Sequence, residues 1–64
     1  MIIVADKFTQ TGRHVLFKLM GSRLHELYTY VDDVMEYKVW YPEQPSNEAL
    51  QEEVAKQFAK CDAK

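Results

Sequence analysis

Gly21-Ser22 stands between two runs in which apolar and polar residues alternate, within the stretch from His14 to Tyr41. Alternation of this kind marks half-buried strands. A glycine followed by a small polar residue suits a two-residue type II′ hairpin turn, because glycine takes the required positive φ without a steric penalty. On that turn Met20 opposes Arg23, Leu19 opposes Leu24, Lys18 opposes His25, Leu16 opposes Leu27 and Val15 opposes Tyr28, with opposed residues sharing a face. A second reversal at Asp32-Asp33 pairs Val31 with Val34. The expected inward face is then Val15, Phe17, Leu19, Leu24, Tyr28, Tyr30, Met35, Tyr37, Val39 and Tyr41, interrupted by Glu26.

Before this stretch, Ile2 to Phe8 is rich in branched and aromatic residues and is expected as a first strand, with Ile2, Val4 and Phe8 on one side and Ile3, Ala5 and Lys7 on the other. The polar segment Thr9 to Arg13 makes a hairpin loop, with Gly12 in the left-handed region. After it, Pro42 and Pro45 stop the fourth strand, since proline cannot donate to a ladder. A helix follows over 47–61. Ser46 or Asn47 can cap it, Glu48, Glu52 and Glu53 load its first half, and Lys56, Lys60 and Lys64 its end, which suits the helix dipole. Leu50, Val54, Phe58 and Cys61 form its apolar stripe, and Glu52 with Lys56 has the spacing of a helical ion pair.

The fold class these elements predict is α+β: a four-stranded antiparallel β-meander with one C-terminal helix packed on one face, in 1–64 as a single small domain. The rival is a β-hairpin, a helix over 22–35, a strand over 36–41 and the helix over 47–61, because Leu24, Leu27, Tyr28, Val31, Val34 and Met35 also recur at helical spacing behind Ser22. Tyr28-Thr29-Tyr30-Val31 favours strands, since such residues lose rotamer freedom in a helix.

A chain of 64 residues buries only about 60% of its unfolded surface, so help from a partner is in keeping with its size. Cys61 alone forms no internal disulfide, and the first residues offer too short an apolar run for a signal-peptide core. A cytoplasmic, soluble protein with no membrane partner is the expectation. The net charge of −2, with basic residues gathered before Asp32 and acidic ones after it, is not a nucleic-acid footprint.

Catalytic constellations are not evident: no Ser-His-Asp, Cys-His, phosphate-loop or Cys-x-x-Cys pattern is present. On the proposed register His14 and His25 lie about 13 Å apart, too far for one metal. On the rival helix His25, Thr29, Asp32 and Glu36 would share a stripe. No cofactor, metal or catalytic residue is therefore expected. Glu26, on the expected apolar face, must reach solvent, meet a cation such as Lys56 or Lys60 from the docked helix, or be protonated.

One helix cannot cover both sides of a four-stranded sheet. The uncovered side gathers Lys18, His25 and Trp40 in one row and Leu16, Leu27 and Lys38 in the next, flanked by Met20 and Arg23. An exposed tryptophan with apolar and arginine neighbours has the composition of a binding hot spot. Lys18, Arg23, His25, Leu27, Lys38 and Trp40 are thus the expected partner-binding residues. The function this suggests is a small intracellular non-enzymatic protein-binding module, an inhibitor or adaptor that occludes a surface of a larger partner, of a kind common among viral and mobile-element products. A homodimer is a further option. The alternative is single-stranded nucleic-acid binding on the open face, with Trp40 and His25 stacking bases and Arg13, Lys18, Arg23 and Lys38 meeting phosphates.

Overall fold

The computed structural model describes residues 1–63. Strands β1 (Ile2–Phe8), β2 (His14–Met20), β3 (Glu26–Val31) and β4 (Val34–Trp40) precede one helix, α1 (Asn47–Asp62). The strands form a single antiparallel sheet in the order β1-β2-β3-β4, and α1 packs on one face of it. The α+β meander is thus the observed architecture, and 22–35 is a loop followed by β3 and the start of β4 rather than a helix.

Pro42 and Pro45 lie where the chain leaves the sheet, and Ser46 opens the helix. Ser46 is extended (φ −71°, ψ 162°), and its Oγ accepts the Ala49 N–H at 3.2 Å, satisfying one of the orphan donors of the first turn. At the far end Asp62 Oδ1 accepts the Gln10 N–H at 2.8 Å and ties the helix to the β1–β2 loop. Leu50, Val54 and Cys61 are buried as the stripe requires, but Phe58 is only half-buried, with the Lys7 ammonium 5.1 Å from its ring centroid. Gln57 takes the remaining buried place, its Nε2 donating to Glu53 Oε2 at 2.6 Å. The expected Glu52–Lys56 pair does not form among the described residues, and Lys64 lies outside them.

The β2–β3 register departs from the simple hairpin. Met20 opposes Glu26 rather than Arg23, so the register runs three residues further on, and the connection spans Gly21 to His25. Gly21 (φ 97°) begins this loop, Leu24 N–H donates to the Gly21 carbonyl at 3.1 Å, and Leu24 itself sits at φ 52°. Because side chains alternate with a period of two, an odd displacement exchanges the two faces of β3. Leu27, Thr29 and Val31 therefore point to the helix, and Glu26, Tyr28 and Tyr30 point away from it. The exchange is physically favourable: it takes a carboxylate out of the core, where it would need a buried cation, and leaves two phenol hydroxyls in reach of water. Leu24 keeps its expected place against the core from within the loop.

Further along, Asp32 and Asp33 make the expected turn, both at positive φ (50° and 68°), and Val31 pairs with Val34. A bulge at Glu36 then shifts the β3–β4 register. Met35 shares the outer face with Tyr30, whereas Tyr37 and Val39 return to the inner one, and Lys38 and Trp40 are outside. The expected placement of Met35 inside is wrong, and that of Tyr37 and Val39 survives only because the flipped β3 and the bulge cancel. A second bulge, at Val4, likewise overturns the expected faces of β1: Ile2, Ala5 and Lys7 share the helix side, and Ile3, Asp6 and Phe8 the other. Gly12 is left-handed as expected, at φ 85°.

The core is Val15, Phe17, Leu19, Leu27, Val31, Leu50, Val54 and Cys61, with Phe17, Val15 and Leu27 fully enclosed. Phe17→Ala should cost about 3–5 kcal/mol, enough to unfold a domain of this size. Phe58→Ala, at the half-exposed rim, should cost distinctly less. Thermal melts of the two variants check the order, and equal losses would place Phe58 in the core.

Candidate binding face

With α1 on one side of the sheet, the other side is left uncovered by the described residues. The ladder sets its side chains in rows. Lys18, Tyr28 and Lys38 stand side by side across β2, β3 and β4, continued by Ile3 on β1. Leu16, Tyr30 and Met35 form the next row, extended by Asp6, and Met20, Glu26 and Trp40 the row on the other side. The face thus carries three aromatic rings, four aliphatic or thioether side chains and two lysines within adjacent rows of the sheet. Trp40 is 62% exposed and Met35 47%.

The rings are held by their neighbours. Tyr28 and Tyr30 lie near parallel, 6.3 Å between centroids. The Lys18 ammonium sits 4.7 Å from the Tyr30 centroid and that of Lys38 5.4 Å from the Tyr28 centroid, so each cation stands over an aromatic face. Lys38 Nζ also lies 2.8 Å from Glu26 Oε1. The hydrogen bond from Lys38 is the main cause that holds the Glu26 carboxyl below its ordinary range, and the same bond raises Lys38. His25 stands edge-on to Trp40, with centroids 5.8 Å apart, and its Nδ1 is buried with no hydrogen-bond partner.

Towards the other end of the sheet, His14 Nε2 lies 2.5 Å from Asp6 Oδ1, and Phe8 stacks on the imidazole at 5.0 Å. Asp32 accepts the His14 N–H at 3.0 Å and meets Arg13 Nε at 3.4 Å. The His14 backbone is the larger cause of the lowered Asp32 pKa, with Arg13 adding to it.

Of the residues the sequence singles out for binding, Lys18, Lys38 and Trp40 stand on this face, His25 joins it through Trp40, and Arg23 is exposed in the adjoining loop. Leu27 does not belong to it. The side chain is 0% exposed in the core, because the register shift turns it under the helix. The expected row of Lys18, His25 and Trp40 is replaced by Lys18, Tyr28 and Lys38, and Glu26 meets Lys38 rather than a helix lysine. Tyr28, Tyr30 and Met35 are the face residues that the alternation alone misplaces. Glu26 carries the missing signal: a carboxylate at the head of β3 belongs on the watered side, which fixes the parity of Tyr28 and Tyr30 with it.

Two clefts lie elsewhere. One of about 460 Å³ is lined by Tyr41, Ala49, Glu52, Glu53 and Lys56, and one of about 290 Å³ opens between the start of β1 and the beginning of α1. Burial, with a smaller push from Glu53, raises the Tyr41 phenol, whose oxygen is buried without a hydrogen-bond partner. Among the described residues no group of three or more His, Cys, Asp or Glu side chains is placed to hold a metal ion, and no helix is long and apolar enough to cross a membrane. No protein-family model matches this chain, and no curated protein or solved structure matches it either.

The Glu26–Lys38 pair makes an acid-side prediction. A carboxyl whose folded pKa is lowered contributes stability that is complete above its unfolded value and is lost as pH falls through the folded one. NMR titration should place the Glu26 midpoint below that of an ordinary glutamate, and Lys38→Met should move it upward. An unmoved midpoint in the variant would mean that Lys38 does not set it.

Proposed function

We propose that this chain is a small non-enzymatic protein-binding module that uses its open sheet face to occlude a surface of a larger partner, as an inhibitor or adaptor does. The observation that supports this most directly is the gathering of Tyr28, Tyr30 and Trp40 with Leu16, Met20 and Met35 on a face that α1 leaves bare. Tyrosine, tryptophan and methionine are enriched in protein interfaces, and rigid aromatic side chains lose little entropy when they are covered. A partner that displaces water from these side chains gains apolar contact over a preformed platform. The cell interior is the setting this reading takes, since the one cysteine, Cys61, fills a core position.

Single-stranded nucleic-acid binding is a second reading, favoured by the alternation of Lys18, Tyr28 and Lys38 across three strands. Two features weigh against it. The aromatic faces of Tyr28 and Tyr30, on which a base would stack, are occupied by lysine ammoniums, and with Lys38 engaged by Glu26 only Lys18 and Arg23 remain to meet phosphates at this face, on a chain of net charge −2.

Trp40→Ala and Tyr28→Ala should fold like the parent, since both side chains stand away from the helix, yet each should weaken partner binding by about 2 kcal/mol. Capture of the partner from source cells, its identification by mass spectrometry, and titrations beside thermal melts of the same samples check this. A folded Trp40→Ala variant with parental affinity removes the sheet face as the interface.

A further inference from the structure

We infer that the partner segment received by the open face is acidic: it brings carboxylates to Lys18 and Arg23. The inference rests on the reading of this face as a protein interface and adds the chemistry of what binds there.

The charges of the face are unevenly satisfied. Each carboxylate that borders it with a basic neighbour is already engaged, Asp6 with His14, Glu26 with Lys38 and Asp32 with Arg13. Glu36, exposed at the β4 bulge, forms no ion pair among the described residues. Lys18 and Arg23 are left without a carboxylate, and His25 Nδ1 without a hydrogen-bond partner.

Lys18 is decisive because of where it stands. It lies on an inner strand, opposite Tyr28, with its ammonium over the Tyr30 ring. No surface can cover the two tyrosines without covering Lys18 as well. An ammonium taken out of water against a ring face alone is poorly compensated, whereas a carboxylate from the partner restores both charge balance and hydrogen bonds. A neutral or basic partner therefore meets a penalty at the centre of the face and an acidic one does not.

The test uses a random peptide library displayed on phage, selected against the immobilised full-length protein, against Lys18→Glu and against Trp40→Ala. Chosen peptides are then synthesised and titrated by fluorescence anisotropy, and circular dichroism confirms that the variants fold. The expected result is that peptides whose binding needs Trp40 are enriched several-fold in Asp and Glu, lose at least tenfold in affinity for Lys18→Glu, and give way to Lys- and Arg-bearing peptides when Lys18→Glu is the bait. Trp40-dependent peptides with no acidic enrichment, or with unchanged affinity for Lys18→Glu, overturn the inference and leave the protein-interface reading standing. Oligo-dT that competes at the face, with affinity falling steeply as salt rises, makes nucleic acid the occupant. Self-association in sedimentation that disappears in Lys18→Glu makes a second copy the occupant. If no Trp40-dependent peptide emerges, the interface reading fails together with the inference.

Discussion

One helix of 16 residues covers one side of a four-stranded sheet and no more. Everything else in this molecule follows from that shortage of cover. The side chains that most need to leave water, Val15, Phe17, Leu19, Leu27 and Val31, occupy the covered side with Leu50, Val54 and Cys61 above them. The other side must remain compatible with water, and it does so with residues of mixed character. Lysine ammoniums stand over the tyrosine rings, and Glu26 closes a pair with Lys38. A face built in this way mixes apolar, aromatic and charged groups.

Much of this is legible in the chain. The four strands, the Asp32-Asp33 turn, the proline stop, the Ser46 cap and most of the helix stripe each have a local cause within a few residues and are present, although β3 starts at Glu26, past the expected turn, and Gln57 rather than Phe58 is buried. What the residues do not disclose are the irregularities. A leucine at φ 52° within the β2–β3 loop is contrary to leucine's preferences, so Gly21-Ser22 reads as a tighter turn than the one formed. The bulges at Val4 and Glu36 have no glycine to announce them. Each slip changes parity, so the errors concern faces rather than elements. Trp40 and Lys38 fall on the open face in both accounts because two parity changes cancel in β4, while Leu27, Tyr28 and Tyr30 lie beyond only one of them and exchange sides.

The same bulges bear on how the protein associates. Both edge strands carry one, and both set charges next to it, Asp6 and Lys7 on β1, Glu36 and Lys38 on β4. Bulges and edge charges are the usual means of preventing another strand from joining a sheet. The broad face has no such protection. On the proposed reading, association then runs through side chains, where it is selective, rather than through the backbone of the edges, where pairing is indifferent to sequence.

On the proposed reading, stability and recognition are written on alternate residues of the same strands. Along β3, Leu27, Thr29 and Val31 hold the helix, and Glu26, Tyr28 and Tyr30 face outward between them. The outer set can therefore vary without emptying the core, provided its changes remain tolerable in water and keep the strand's preference for β-formers. Lys18 shows how the two demands meet in one residue. In the free protein its ammonium stands over the Tyr30 ring; on the proposed reading the same charge, once covered, would discriminate among partners, because it could not be buried without an answer from the other side.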